Sequence, residues 1–379
     1  MSDNSHLPES LTLALNSAAS AAFEESAGTP GAVVGVRTDA GTWFGCYGTA
    51  DPDTGVAMTS SAQLRIGSVT KTFTATLLLQ LVESGDLALD EPIATFVEDV
   101  PNGHLITLGL LATMRSGLAN YTGVREFAAQ VVTDPFATHE PAEMIAAGLS
   151  ASPVFEPDER FDYSNTNYIL LGQVLEQVSG QSFGTMLTER ILGPLGLADT
   201  WWPGDSNALP EPFARGFTLS MPSEAQGRPV DATHFNPSWG GTAGALVSTA
   251  ADLLDYSAAL VSGAGLLSSD MQAVRMASFG PAPALGEGVS YGLGLMGIGG
   301  WLGHSGDIPG YRASCYHHPE AATSLIVLTA SDIVAGRCPA AMAAITIATD
   351  APCASPTARI FDAASDVLGY PSATPTGGS

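Results

Sequence analysis

The chain has 379 residues, 38 of them acidic and 13 basic, for a formal net charge of −25. Such a surface repels phosphate backbones, which excludes a nucleic-acid partner, and says nothing about fold. The longest uncharged apolar run, residues 73–82, is half of what a membrane helix needs, and no charged segment precedes an apolar stretch at the start. Neither a membrane span nor a signal peptide is therefore expected. The composition suits a mature exported protein and a cytoplasmic one equally, and nothing in it specifies an oligomeric state. The length calls for one large domain or two interleaved ones.

Apolar residues recur at helical spacing over residues 7–26. GAVVGVRTDAGTWFGCYG (31–48) reads as two β-rich runs joined at Asp39-Ala40-Gly41, a hairpin signal. From Ser68 to Ser84 the residues are apolar nearly all round and Gly85 follows at C′, which predicts a buried helix. Residues 86–235 carry helical patterns separated by Pro/Gly loops. After WGGTAGAL (239–246), Thr249 and Asp252 predict a capping box ahead of another helix. Three strand-like runs follow, YGLGLMG, YRASCYHH and SLIVLTA, and helices at 339–349 and 356–368 close the ordered chain. Residues 371–379, PSATPTGGS, read as a disordered tail.

Strands at both ends around a helical middle predict an α/β fold with one sheet built from both termini. The sheet domain is expected from residues 1–75 with 240–370, and a helical subdomain from 76–239. Of the four cysteines, Cys338 and Cys353 bracket a short apolar segment and can bridge in an oxidising compartment. Cys46 and Cys315 lie in expected strands and read as buried thiols.

RIGSVTKTF (65–73) contains the only lysine in the chain; the other twelve basic residues are arginines. At i and i+3 on a helix, Ser68 and Lys71 share a face. A serine hydroxyl is a poor nucleophile until a base takes its proton, and a lysine serves once burial lowers its pKa from about 10.4. The bland alternative, a capping serine and a solvated lysine, fits poorly beside the apolar flank KTFTATLLLQLV. In FDYSNTNYILLGQVLEQVSG (161–180), Ser164 or Asn165 caps a helix whose Ile169, Leu170, Val174 and Val178 face the core. Tyr163 and Asn165 then sit at the helix start, where a phenol and an amide can project into a cleft. A cationic lysine beside Tyr163 would favour the phenolate and allow proton relay. WLGHSGDIPGY (301–311) places His304, Ser305 and Gly306 at a strand end, where the glycine lets a substrate backbone lie along the strand edge.

S-x-x-K, Y-S-N and H-S-G occur in that order, separated by roughly 95 and 140 residues. With IGSVTKTFTATLLLQLVESGDLALDEPI, MRSGLANY, FDYSNTNYILLGQVLE, GGTAGALVSTAADL and YGLGL, the chain resembles the serine β-lactamase and penicillin-binding superfamily, on its class C β-lactamase and DD-carboxypeptidase branch. The likeness covers most of residues 30–335. It implies an antiparallel sheet flanked by helices with an all-helical subdomain inserted beside it, and a site at their junction. It implies Ser68 as acylated nucleophile, Lys71 and Tyr163 as the proton-transfer pair, and His304 where a lysine often stands. Asn165, Ser305, Gly306, Asp307 and Trp239 would bind substrate, and the N–H groups of Ser68 and Asp307 would form the oxyanion hole.

Competing readings are weaker. GQSFG (180–184) matches the nucleophile-elbow pattern, but a helix precedes it where a strand is required, so Gly180 reads as a C-cap and Ser182 as an N-cap. His317-His318 lacks companions at ligand spacing, so neither a metal nor a cofactor is expected. A non-catalytic penicillin-binding protein ranks last, because groups for deacylation are present. Within the branch, carboxypeptidases carry H-T-G-T and an arginine on the preceding strand. This chain has Asp307 at the fourth position and no arginine in 291–303. Asp307 would repel a leaving D-alanine carboxylate unless Arg312 comes round to pair it. Neutral esters and D-amino-acid amides or peptides therefore lead as substrates, with D-Ala-D-Ala peptides and β-lactams as the alternative.

Overall fold

A computed structural model describes residues 6–220, 228–340, 342 and 346–372. Its main element is a nine-stranded antiparallel sheet. The strands are β1 (Gly31–Thr38), β2 (Gly41–Asp51), β3 (Val56–Ala57), β4 (Gly280–Pro281), β5 (Ser290–Tyr291), β6 (Met296–Ile298), β7 (Trp301–Ile308), β8 (Tyr311–His318) and β9 (Thr323–Thr329). They run in the order β3-β2-β1-β9-β8-β7-β6-β5-β4, so β1 closes on β9 and joins both ends of the chain. The expected hairpin turns at Asp39-Ala40. YGLGLMG is broken at Gly294, whose φ of +74° turns the chain between β5 and β6.

Five helices have twelve residues or more among the described residues: α1 (Glu9–Glu24), α2 (Thr70–Glu83), α3 (Asn165–Ser179), α4 (Ala250–Ser262) and α5 (Pro356–Val367). Strand alternation sends Cys315 and Ser324 to one face, where Cys315 meets Leu253 O and Ser324 bonds to Ser257, both on α4. Trp301 and Tyr316 point to the other face and stack edge-on against Phe361 of α5, beside α1. This is the expected α/β architecture of an antiparallel sheet flanked by helices. Shorter helices at Leu108–Ala112, Arg125–Thr133 and Pro141–Ser150 accompany α3 in the middle of the chain.

α2 is buried on every side from Thr70 to Leu79. Its threonines survive there because Thr70, Thr72 and Thr76 donate to carbonyls of their own turn and Thr74 donates to Thr242 O at 2.7 Å. Phe73 stacks on Tyr256 of α4 with centroids 3.8 Å apart. Gly85 follows α2 with φ +81°.

Several expectations are corrected. Thr346–Pro352 is a strand, paired in parallel with Val334–Arg337, where a helix over 339–349 was expected. The β-branched Thr346, Ile347 and Thr349 favour that extended backbone, and residues 341 and 343–345 lie outside the described residues. A disulfide joins Cys338 to Cys353 around this strand pair. Cys46 is exposed and only Cys315 is a buried free thiol. The capping box is half formed: Thr249 Oγ1 accepts from Asp252 N, but Asp252 Oδ2 accepts from Asp199 N and Thr200 Oγ1 instead of closing it. The expected tail lies, from residue 373, outside the described residues; Ser372 is described and its N–H donates to Ser365 Oγ.

One contact of the sheet positions the site. β7 lies against the 3-10 turn Gly67–Val69 that precedes α2. A Cβ on Gly306 would stand 1.9 Å from Ile66 O, and one on Gly67, already at φ +51°, would stand 2.6 Å from Asp307 N. Only glycine permits this approach. Gly306→Ala should therefore cost about 1–3 kcal/mol in urea denaturation and lower kcat on every substrate. Gly280→Ala, whose Cβ meets nothing within 4 Å, should stay within about 0.5 kcal/mol of the parent.

Candidate active site

Ser68 stands in the 3-10 turn and Lys71 one turn on, in the first turn of α2. Lys71 Nζ lies 2.9 Å from Ser68 Oγ, 2.7 Å from Asn165 Oδ1 and 2.7 Å from Ala243 O. The lysine is fully buried, and burial lowers its pKa well below the ordinary value. The two amide oxygens accept only, so they take both hydrogens of a neutral amine. The remaining lone pair then faces the Ser68 hydroxyl, which donates to it. This is the geometry of a general base on a nucleophile.

Asn165 is the first residue of α3, and its backbone N–H is capped from outside the helix by Asn120 Oδ1. Ser164 caps nothing with its side chain; its hydroxyl donates to Ala119 O. The Asn165 amide oxygen is committed to Lys71 and its NH2 group faces Asn120 Oδ1 and Thr122 Oγ1.

Tyr163 lies beside both catalytic candidates, with Lys71 Nζ 4.9 Å from its ring centroid. Burial raises the phenol's pKa strongly, and the nearby Ser68 hydroxyl only partly offsets that. The phenol is therefore held protonated, opposite to the phenolate expected from a neighbouring lysine cation. The reason is burial, which disfavours the phenolate more than its neighbours favour it.

His304 is buried behind this pair, its ring 6.2 Å from that of Tyr163. Its Nδ1 meets Ser305 O, a pure acceptor, so Nδ1 carries the hydrogen and Nε2 accepts from Tyr291 Oη at 3.1 Å. Burial, then the neighbouring Lys71, pull its pKa down to about 3. It stays neutral and does not line the cavity in front of Ser68.

That cavity, of about 360 Å³, is lined by Ser68, Tyr163, Asn165, Trp239 and Asp307 among the sequence candidates. Ser305 is not among the lining residues; its hydroxyl lies 3.8 Å from Met296 Sδ. Gly306 faces the nucleophile turn, so the strand edge it was expected to open to a substrate is filled by Ile66 O and Ser68 N. The N–H groups of Ser68 and Asp307 nevertheless lie on adjoining backbone.

Sequence reasoning did not find Tyr121 and Thr122, Leu219 and Ser220, or Asp332, which also line the cavity. Tyr121 Oη donates to Trp239 O and fixes that wall. Arg312 does come round: its Nη2 is 2.6 Å from Asp307 Oδ2, because β7–β8 register sets the two residues opposite each other. The isolated charge expected at Asp307 is thus paired.

Ser182 is exposed and accepts from Thr185 N as an N-cap, after Gly180 closes α3 at φ +67°. His317 bonds to Ser324 and His318 accepts from Ala321 N. Among the described residues no group of three His, Cys, Asp or Glu side chains could hold a metal, and no helix is long and apolar enough to cross a membrane.

Ser68, Lys71 and Tyr163 thus cluster at the start of α2 beside the antiparallel sheet. The chain belongs to the beta-lactamase family, whose family model matches residues 18–346. Penicillin-binding protein 4 of Amycolatopsis lactamdurans is 30% identical over 60% of this chain and 58% of its own length. A D-aminopeptidase of Cereibacter sphaeroides is 27% identical over 85% of this chain and 61% of its own. The chain thus spans about three fifths of the length of these curated relatives. Among solved structures, a D-stereospecific amidohydrolase from Streptomyces sp. superposes with a TM-score of 0.77 at 31% identity, over 85% of this chain and 94% of that one. The D-amino acid amidase of Ochrobactrum anthropi SV3 gives a TM-score of 0.74 at 26% identity, over 84% and 91%.

Ser68→Ala should abolish ester hydrolysis and labelling by a fluorophosphonate, while Ser182→Ala, which removes only a cap, should keep both. The ratio kcat/KM for a neutral ester should be lost as pH falls through a single ionisation below the usual lysine range, since the neutral amine is the active form. Lys71→Arg, protonated at every working pH, should lower kcat by about 10²–10⁴-fold.

Proposed function

We propose that the protein is a serine hydrolase that cleaves D-amino-acid amides, short D-peptides and simple esters through an acyl-enzyme on Ser68. The neutral Lys71 amine takes the Ser68 proton as Oγ bonds to the substrate carbonyl carbon. The carbonyl oxygen becomes an oxyanion facing the N–H groups of Ser68 and Asp307. When the C–N or C–O bond breaks, the protonated Tyr163 phenol gives its hydrogen to the departing atom and recovers one from the Lys71 ammonium. Water repeats the sequence in reverse to release the acid. Asn165 and Ala243 O orient the amine, and His304 packs behind Tyr163 as a neutral positioning residue.

The choice of substrate rests on one observation. Arg312 is the single cation lining the cavity among the described residues, and it already binds Asp307 and, through Nε, Asp332 O at 3.1 Å. A substrate carboxylate could use only the remaining N–H donors of a guanidinium whose charge Asp307 already shares, and it would stand beside two aspartates, which costs free energy. A neutral or amine-bearing substrate meets no such penalty. The resemblance to the Streptomyces amidohydrolase and the Ochrobactrum amidase supports the same choice.

A panel of p-nitrophenyl acetate, D-alanine p-nitroanilide, an acyl-D-Ala-D-Ala peptide and nitrocefin tests it. Turnover of the first two should exceed that of the last two by about 10²-fold or more, the scale of an unpaired buried charge. Efficient release of D-alanine from the acyl peptide, with no turnover of the anilide, would replace this reading with a carboxypeptidase.

A further inference from the structure

Met114 is fully buried at φ +60°, a backbone conformation that a long side chain rarely adopts. It stands just past the helix Leu108–Ala112. Met114 N donates to Leu111 O at 3.2 Å and Arg115 N to Leu110 O at 2.8 Å, the pair of bonds that closes a helix on a left-handed residue. Glycine ordinarily fills that position, because it meets a φ of this sign without steric cost. Ending the helix therefore gives no reason for a methionine, and strain of this kind persists only where surrounding contacts hold it.

The contacts of Met114 supply the reason. Its carbonyl oxygen accepts from Asp162 N at 3.0 Å, and its thioether sulfur accepts from Ser164 N at 3.5 Å. These two N–H groups flank Tyr163, so one residue grips the main chain on both sides of the phenol-bearing residue. The same sulfur accepts from Asn167 Nδ2 at 3.4 Å, and Asn167 Oδ1 accepts from Ser116 Oγ at 2.6 Å. A thioether is a weak acceptor, yet Ser164 N has no other among the described residues. A glycine at 114 would relieve the backbone and leave two buried N–H donors without a partner, which is the costlier state. The Tyr163 ring packs edge-on to Tyr291 and beside His304, which limits its tilt. Where the ring starts from is set by the main-chain bonds to Met114.

We propose that Met114 is a positioning residue for the Tyr163 phenol, kept at a strained backbone position for the sake of its sulfur. The proposal rests on Tyr163 as proton donor to the leaving group, and a second readout tests it apart from that role. p-Nitrophenolate departs as a stable anion and needs no proton, whereas an anilide nitrogen departs only when protonated. The ratio kcat/KM covers the steps up to acylation, so the comparison is free of deacylation. Met114→Leu keeps most of the volume and removes the acceptor. It should lower kcat/KM for D-alanine p-nitroanilide at least about tenfold more than for p-nitrophenyl acetate. The Ser164 amide, followed by NMR, should exchange its hydrogen at least about tenfold faster. Met114→Gln, whose amide oxygen accepts, should recover part of both, and Met114→Gly serves if the leucine variant does not fold. Tyr163→Phe should show the same substrate split with Ser164 exchange unchanged. Equal loss on both substrates marks a merely structural role and overturns the proposal. An unchanged ratio in Met114→Leu, with the split present in Tyr163→Phe, overturns it as well. A Tyr163→Phe protein without the split would instead overturn the proton-donor role, and failure to turn over the anilide would overturn the substrate reading. In either case the Ser164 exchange rates decide the role of the sulfur, and unchanged exchange in Met114→Leu overturns it.

Discussion

The candidate site is organised around one buried amine without a counter-ion. Lys71 has no carboxylate partner among the described residues, and its nitrogen is held by two oxygens that only accept and one hydroxyl that can donate. Desolvation of the cation there lowers the lysine's pKa well below its ordinary value. Burial holds the Tyr163 phenol protonated and keeps His304 an uncharged spacer between Tyr163 and Tyr291.

Such a site needs a rigid dry surround, which α2 and the sheet provide together. The helix buries threonines as well as leucines, and each buried threonine hydroxyl returns to a backbone oxygen, so the burial leaves no polar group adrift. β7 closes the other side, at a backbone separation that Gly67 and Gly306 alone allow. Ser68 and the N–H groups of Ser68 and Asp307 are therefore positioned by main-chain packing, the stiffest part of the molecule.

Charge in the cavity is arranged differently from charge on the surface. The surface carries the large acidic excess of the chain, screened by water and salt. Inside, Arg312 pairs with Asp307 and bonds the Asp332 backbone oxygen, while the Asp332 carboxylate takes its donors from the Thr218 and Ser220 hydroxyls.

The sequence by itself determined what short-range sterics control. A lysine three residues after a serine, on a helix apolar all round, dictates a shared face and a buried amine wherever that helix is placed. The β1–β2 hairpin, the Gly180 terminus and the Ser182 cap are equally local, and each stands where its residues put it. Tertiary structure decided what those groups meet. Ala243 O completes the lysine from 172 positions away, and a backbone oxygen looks the same under any side chain, so no residue type announces it. Arg312 reached Asp307 through strand register, and Asp332 reached the cavity through the turn after β9; both depend on which strands pair. The helix expected over 339–349 gave way, at Thr346–Pro352, to a strand for the same reason. Periodicity describes one segment, whereas pKa, charge pairing and open hydrogen-bond positions belong to the contacts between segments.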